Sequence, residues 1–240
     1  MTEKPYVIIF DWDDTLLDAG MALVQSKINA IKETLEDQTT YPFCKEWRCP
    51  TMRELRKHAG HRFKEKVIHA VMPQLDADNT DHQAWINDAF DRFKKYYRQT
   101  EKHLFPGVTA MLNQLQKNCD LCIATNKSRD LFTEELHETR LEAFFTHIVC
   151  GDDLTLEGKF KPHPRMLNMI QSYYPNDTRF VMVGDRDFDI IAARSSNQAR
   201  HTKTIGISQT QELDDANCQL KSSAEISMAL IEKLFVEKAH

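Results

Sequence analysis

Apolar and polar positions change their rhythm along the chain, and the changes mark where one kind of structure gives way to another. Tyr6-Val7-Ile8-Ile9-Phe10 is a short unbroken apolar run, the pattern of a strand covered on both faces. Leu17, Met21, Val24, Ile28, Ile31 and Leu35 then step by four and three. Ile86, Ala89 or Phe90, Phe93 and Tyr97 repeat that step, with Met52, Leu55, Phe63 and Val67 between the two series. Such steps put an apolar stripe on one side of a helix, so residues 18–101 read as an all-helical insertion whose Trp85, Phe90 and Phe93 form helix–helix core.

From residue 105 onward unbroken runs alternate with helical patterns. Val108, Met111, Leu112 and Leu115 predict a helix, followed by a strand at 121–124, a helix near 128–138 and a strand at His147–Cys150. A helix near 164–173, a strand at 180–183, a helix near 189–196 and a strand around Thr204–Ile207 continue the series, and Ile226, Leu230, Ile231 and Leu234 predict a last amphipathic helix. Strand and helix in alternation predict an α/β fold, a parallel sheet with helices on both faces. No repeat, low-complexity tract or linker interrupts it.

Length and composition fit a compact enzyme. A chain of 240 residues buries a large core and forms one or two domains. At 41% hydrophobic it has no apolar run near the roughly 20 residues of a spanning helix, and residues 6–10 are too short for a signal-peptide core, so the expected location is cytoplasmic. The net charge of −5, without a dense Lys/Arg stripe, argues against nucleic acid or anionic membrane as a partner. Six cysteines without an export signal read as reduced thiols. Cys119 and Cys122 form a C-x-x-C that enters a strand instead of opening a helix, and Cys44, Cys49, His58 and His61 fit no standard zinc spacing.

The candidate chemistry follows the strands. Asp11-Trp12-Asp13-Asp14-Thr15 directly succeeds the first apolar run, placing Asp11 and Asp13 on one face of an extended segment at the strand end where open α/β sheets bind ligands. A carboxylate nucleophile with a second acid beside it suits two-step group transfer; a strand ending in a polar turn has the same spelling. Leu121-Cys122-Ile123-Ala124-Thr125-Asn126-Lys127-Ser128 reads as strand, turn and helix start, where a hydroxyl and unpaired N–H groups hold phosphoryl oxygens or simply cap the helix. In Gly158-Lys159-Phe160-Lys161-Pro162-His163-Pro164 the prolines stiffen the backbone around a lysine that supplies counter-charge, with Lys159 and Lys161 competing for the role. Phe180-Val181-Met182-Val183-Gly184-Asp185-Arg186-Asp187-Phe188-Asp189-Ile190 is a buried-type strand followed by an acidic turn that either caps a helix or holds a hard cation such as Mg²⁺.

Taken in order, these segments resemble the four motifs of the haloacid dehalogenase superfamily: DxDx[TV] at Asp11 and Asp13, Thr125, the K-P-x-P match at Lys161, and GDxxxD through Asp185 and Asp189. The resemblance spans nearly the whole chain and favours Lys161 over Lys159. Phe105-Pro106-Gly107-Val108, Thr125-Asn126-Lys127, Lys161-Pro162-His163-Pro164 and Ala193-Arg194 fall where the phosphoglycolate-phosphatase-like group has similar residues. It implies a Rossmann-like core domain from residues 1–17 and 102–240, and an α-helical cap domain of residues 18–101 packed over the Asp11 face.

The resemblance also implies roles. Asp11 is the nucleophile that forms an aspartyl-phosphate, and Asp13 the acid and then the base; Thr125, Asn126 and Lys161 bind the phosphoryl group. Mg²⁺ is held by Asp11, the main-chain carbonyl of Asp13 and Asp185, with Asp189 assisting. His61 and Arg62 of the cap are candidates for substrate choice. The expected substrate is a small phosphorylated metabolite of phosphoglycolate type, and the protein a monomer or homodimer. An aspartate at 13 resembles the phosphatase or phosphomutase branch, while Arg186, Asp187 and Ser195-Ser196-Asn197 depart from the usual pattern and keep a catalytically lapsed binding protein as an alternative.

Overall fold

The computed structural model of the chain describes residues 4–58, 60–153, 159–208 and 213–236; Gly158, at the head of the Lys161 segment, lies outside them. The chain forms two compact units, residues 1–18 with 103–240 and residues 19–102. Its elements, in order, are β1 (Tyr6–Phe10), β2 (Leu17–Asp18), α1 (Gly20–Glu36), α2 (Met52–Arg56), α3 (Ile68–Val71), α4 (Thr80–Gln99) and β3 (His103–Leu104). There follow α5 (Val108–Leu115), β4 (Cys119–Thr125), α6 (Arg129–Thr139), β5 (Phe145–Cys150), α7 (Arg165–Gln171), β6 (Arg179–Gly184), α8 (Asp187–Arg194), β7 (Thr202–Ile207), β8 (Cys218–Leu220) and α9 (Met228–Phe235).

The first unit is built on a parallel six-stranded sheet in the order β5-β4-β1-β6-β7-β8. β1 is central, and the chain leaves it first toward β4 and β5, then returns to build β6, β7 and β8 on its other side. That reversal makes the C-terminal ends of β1 and its two neighbours the binding crevice of such a sheet. Val7 and Ile9 pack with Met166, Leu167 and Ile170 of α7 and Ala192 and Ala193 of α8. Ile8 and Phe10 alternate to the opposite face, which right-handed crossovers assign to α5 and α6. All five β1 residues are buried, the reason the run shows no period of two.

Three features differ from the expectation. Leu17 pairs with Leu104 in a two-stranded ribbon instead of opening a helix, and Met21 is exposed; the helix starts at Gly20. A sixth strand, β8, pairs with β7. Ile226 is buried in the turn that precedes α9.

The second unit packs α1 along α4. Arg92 on α4 ties the pair together by reaching Glu33 at 2.8 Å, Asp37 at 3.2 Å and Asp88 at 3.0 Å. Asn79 caps α4 by accepting from the N–H groups of Asp81 and His82. Trp85 and Phe93 are buried in its interior, with Phe63 stacked on Phe93.

Among the described residues, no helix is long and apolar enough to cross a membrane. The cysteines are free. Cys119 and Cys122, three apart in β4, face opposite ways, toward Met228 and Tyr174, and burial pushes both thiols up to about 12. Cys44, Cys49, His58 and His61 form no metal-ligating group among the described residues.

Candidate active site

Sheet register brings the acidic residues together. Phe10 stands level with Ile123 of β4 and Val183 of β6, so the C-terminal ends of the three strands lie next to one another within two residues of register. Asp11 keeps the strand's direction by donating its N–H to the Val183 carbonyl at 2.8 Å. Asp185 follows Gly184 at the end of β6, and Asp189 rises from the first turn of α8, where its Oδ2 accepts the Arg186 N–H at 3.2 Å. The carboxylates of Asp11, Asp185 and Asp189 each offer an oxygen within 4.8 Å of the others, all buried.

Lys161 is the counter-charge. Its side chain is fully buried, with Nζ 2.9 Å from Asp11 Oδ1 and 2.6 Å from Asp189 Oδ1, whereas Lys159 is exposed. Burial alone depresses an ammonium pKa, but Asp11 and Asp189 outweigh it and hold Lys161 above its ordinary value. Asn126 sets the position: its Nδ2 donates to the Lys161 carbonyl at 3.0 Å and its Oδ1 accepts the Lys161 N–H at 2.9 Å. Its amide thus engages the backbone of Lys161 and supports that residue. Thr125 is buried at the end of β4 and accepts the Lys127 N–H at 3.2 Å, which turns the chain toward α6.

Asp13 meets a different cation. Lys127 Nζ lies 2.6 Å from Asp13 Oδ1 and 2.5 Å from Glu135 Oε2, and Glu135 also accepts the Trp12 Nε1 hydrogen at 2.8 Å. Burial, opposed by Lys127 and reinforced by Glu135 and Asp11, pushes Asp13 up to about 7. The sequence reading missed Glu135 and Trp12. The signal for Glu135 is an acid on the same helix stripe as Leu131, Phe132 and Leu136, since a charge on a buried face requires a partner.

The acids outnumber the cations. Burial raises Asp185 well above the ordinary carboxylate range; Arg186, whose Nε is 2.7 Å from it, opposes the shift, and Asp11 and Asp189 reinforce it. Burial likewise pushes Asp189 up to about 7 against the pull of Lys161. Oxygen-only donors with surplus negative charge fit a hard divalent cation such as Mg²⁺. Arg186 also lies 3.7 Å from Asp14, and Asp187 is exposed at the start of α8. A cleft of about 640 Å³ opens beside Asp185 and Arg186, lined also by Asp14, Phe105, Lys221 and Ser223. His61 and Arg62 lie in the second unit, half-buried, on the turn after α2.

Residues 8–201 match the haloacid dehalogenase-like hydrolase family. The chain is 28% identical over 243 residues to a phosphoglycolate phosphatase of Agrobacterium fabrum, covering 98% of this chain and 97% of that one. It is 29% identical over 218 residues to pyrophosphatase PpaX of Bacillus pumilus, covering 87% and 86%. The fold is similar to the crystal structure of a predicted phosphoglycolate phosphatase from Haemophilus somnus, with a TM-score of 0.70 at 18% identity over 93% of this chain and 97% of that one. With a match that begins inside β1 and runs to the start of β7, through every strand end that bears the acidic cluster, the chain belongs to the haloacid dehalogenase-like hydrolase family.

Proposed function

We propose that this hydrolase is a Mg²⁺-dependent phosphatase of a small phosphate monoester, of phosphoglycolate type, working through an aspartyl-phosphate on Asp11. That it hydrolyses phosphate esters follows from its family and its curated relatives. The observation that carries the finer reading is Lys161 Nζ between Asp11 and Asp189, with Asp185 completing the buried cluster. An Asp11 carboxylate oxygen attacks phosphorus, the ester P–O bond breaks, and Asp13 gives its proton to the departing oxygen. Water then attacks the aspartyl-phosphate, the bond to Asp11 breaks, and Asp13 takes the water's proton.

A dianionic phosphoryl group beside these acids meets repulsion of about 4 kcal/mol per pair at ~4 Å and an effective dielectric of ~20. Lys161 offsets part of it, and the Thr125 hydroxyl donates to a phosphoryl oxygen. Mg²⁺, held by Asp11, Asp185 and Asp189 and by the Asp13 carbonyl, would neutralise the rest and align the displacement. His61 and Arg62 remain our candidates for substrate choice, on the sequence resemblance alone. The test is phosphate release from a panel containing 2-phosphoglycolate, pyrophosphate and other small esters, with and without Mg²⁺. A phosphoglycolate-type ester leading the panel in kcat/KM supports the reading; release only from pyrophosphate, or from no ester, overturns it.

A further inference from the structure

Two buried ammonium groups serve the site, and the fold keeps them apart. Lys161 contacts Asp11 and Asp189; Lys127 contacts Asp13 and Glu135. Only the first pairing belongs to the acidic cluster. Lys127 comes from the turn after β4 and Glu135 from the middle of α6, and their side chains are 3% and 5% exposed. An ion pair sunk that deeply costs desolvation that its own attraction barely repays, so its stabilising value alone does not account for it.

Its third and fourth members suggest a purpose. Asp13 stands on a loop just before Asp14, which holds a left-handed φ of 57°. Trp12, between Asp11 and Asp13, continues the alternation of Ile8 and Phe10 and turns its ring into the α6 side of the sheet. There it is fully buried, packed edge-on against Phe132 at 5.0 Å and Phe145 at 6.5 Å. Its indole N–H holds Glu135 Oε2, the same oxygen that holds Lys127. A continuous path therefore runs from a locked indole and a helix, through Glu135 and Lys127, to one oxygen of Asp13.

We propose that Lys127, anchored by Glu135 and Trp12, is a positioning residue that fixes the Asp13 carboxyl group for proton transfer to the leaving oxygen. The proposal rests on the reading of Asp13 as acid and base. A proton donor works only within hydrogen-bond reach of its target, and small displacements cost much of the rate. As the ester P–O bond breaks, the proton on Asp13 passes to the departing oxygen; Lys127 gives up no proton and holds the other carboxyl oxygen in place.

The experiment compares kcat/KM for 4-nitrophenyl phosphate, whose leaving group departs without help, with kcat/KM for phenyl phosphate, whose leaving group needs a proton. The two esters are nearly alike in shape, so binding differences largely cancel. Lys127→Met should lose at least about tenfold more on phenyl phosphate than on 4-nitrophenyl phosphate. Glu135→Gln should show the same bias in smaller degree. Asp13→Asn should show the largest bias, and adding Lys127→Met to it should widen the bias no further. Lys127→Arg keeps the charge but not the compact geometry and should fall between wild type and Lys127→Met; with Glu135→Gln it carries the test if Lys127→Met fails to fold. A biased Asp13→Asn enzyme alongside folded Lys127 and Glu135 variants that lose equally on both esters, or lose nothing, overturns the role of Lys127 alone. An Asp13→Asn enzyme without bias overturns the reading of Asp13 itself, a separate and recognisable failure.

Discussion

Gly184 and Asp189 approach each other more closely than any side chain at 184 would allow. A Cβ on Gly184 would stand 2.3 Å from Asp189 Cγ and 2.3 Å from its Oδ2. The glycine at the end of β6 is therefore what lets the Asp189 carboxylate fold back over the strand end to meet Lys161 and the Arg186 N–H. Gly184→Ala should displace Asp189, and the expected outcome is a fall in kcat of about tenfold or more with weakened Mg²⁺ binding by calorimetry. Unchanged activity and affinity would show that the site tolerates another position for Asp189.

Replacing the proposed nucleophile separates chemistry from structure. Asp11→Asn keeps the shape of the side chain but removes the charge that attacks phosphorus, so turnover should drop by about 10³-fold or more. Circular dichroism should stay native. Turnover within tenfold of wild type, with the substitution confirmed by mass, would remove Asp11 from the mechanism.

Removing Lys161 should cost stability as well as activity. Lys161→Met leaves Asp11 and Asp189 buried without their ammonium partner, and breaking a buried pair in this way costs about 3–5 kcal/mol. Urea denaturation of the metal-free protein should show a loss in that range. Added Mg²⁺ should restore part of it by taking over the missing positive charge. A loss below about 1 kcal/mol would mean that the acids simply take up protons when the lysine is gone.

The sheet was legible because its strands are buried on both faces, and unbroken runs such as Tyr6–Phe10 and Phe180–Val183 carry that signal without any long-range information. The elements that escaped lack it. β8 is three residues long with Gln219 in the middle, and β2 is Leu17 and Asp18 alone, so both are too short to establish a recognisable run. Leu17 stands four residues before Met21 and so imitates a helix stripe; its pairing with Leu104 is a contact across more than 80 positions that no local pattern encodes. At the site, Asp11, Lys161, Asp185 and Asp189 stood out because each sits beside a strand end or a proline pair. The service of Asn126 to the Lys161 backbone, and of Glu135 to Lys127, depends on which elements become neighbours, and their residue types alone do not reveal it.

Proton and metal should compete for the acidic cluster, and the sign of that competition is fixed by the direction of the shifts. Burial raises Asp185 well above the ordinary range and pushes Asp189 up to about 7, so in the metal-free fold both bind protons more tightly than in the unfolded chain. Stability changes with pH in proportion to the protons bound unfolded minus those bound folded. That difference is negative between the unfolded carboxylate pKa of about 4 and the raised folded values, so these groups make metal-free protein less stable as pH climbs through that window. Mg²⁺ needs the ionised carboxylates, and its binding must release protons and strengthen over the same window. The gain in Tm on adding Mg²⁺ to EDTA-treated protein should therefore be larger at pH 7.5 than at pH 5, with proton release visible in calorimetry across buffers of different ionisation enthalpy. Phosphate release should vanish with EDTA and return with Mg²⁺. A Tm gain independent of pH would show that the cluster is already ionised without metal, and full activity in exhaustively demetallated protein would remove the cation from the reaction altogether.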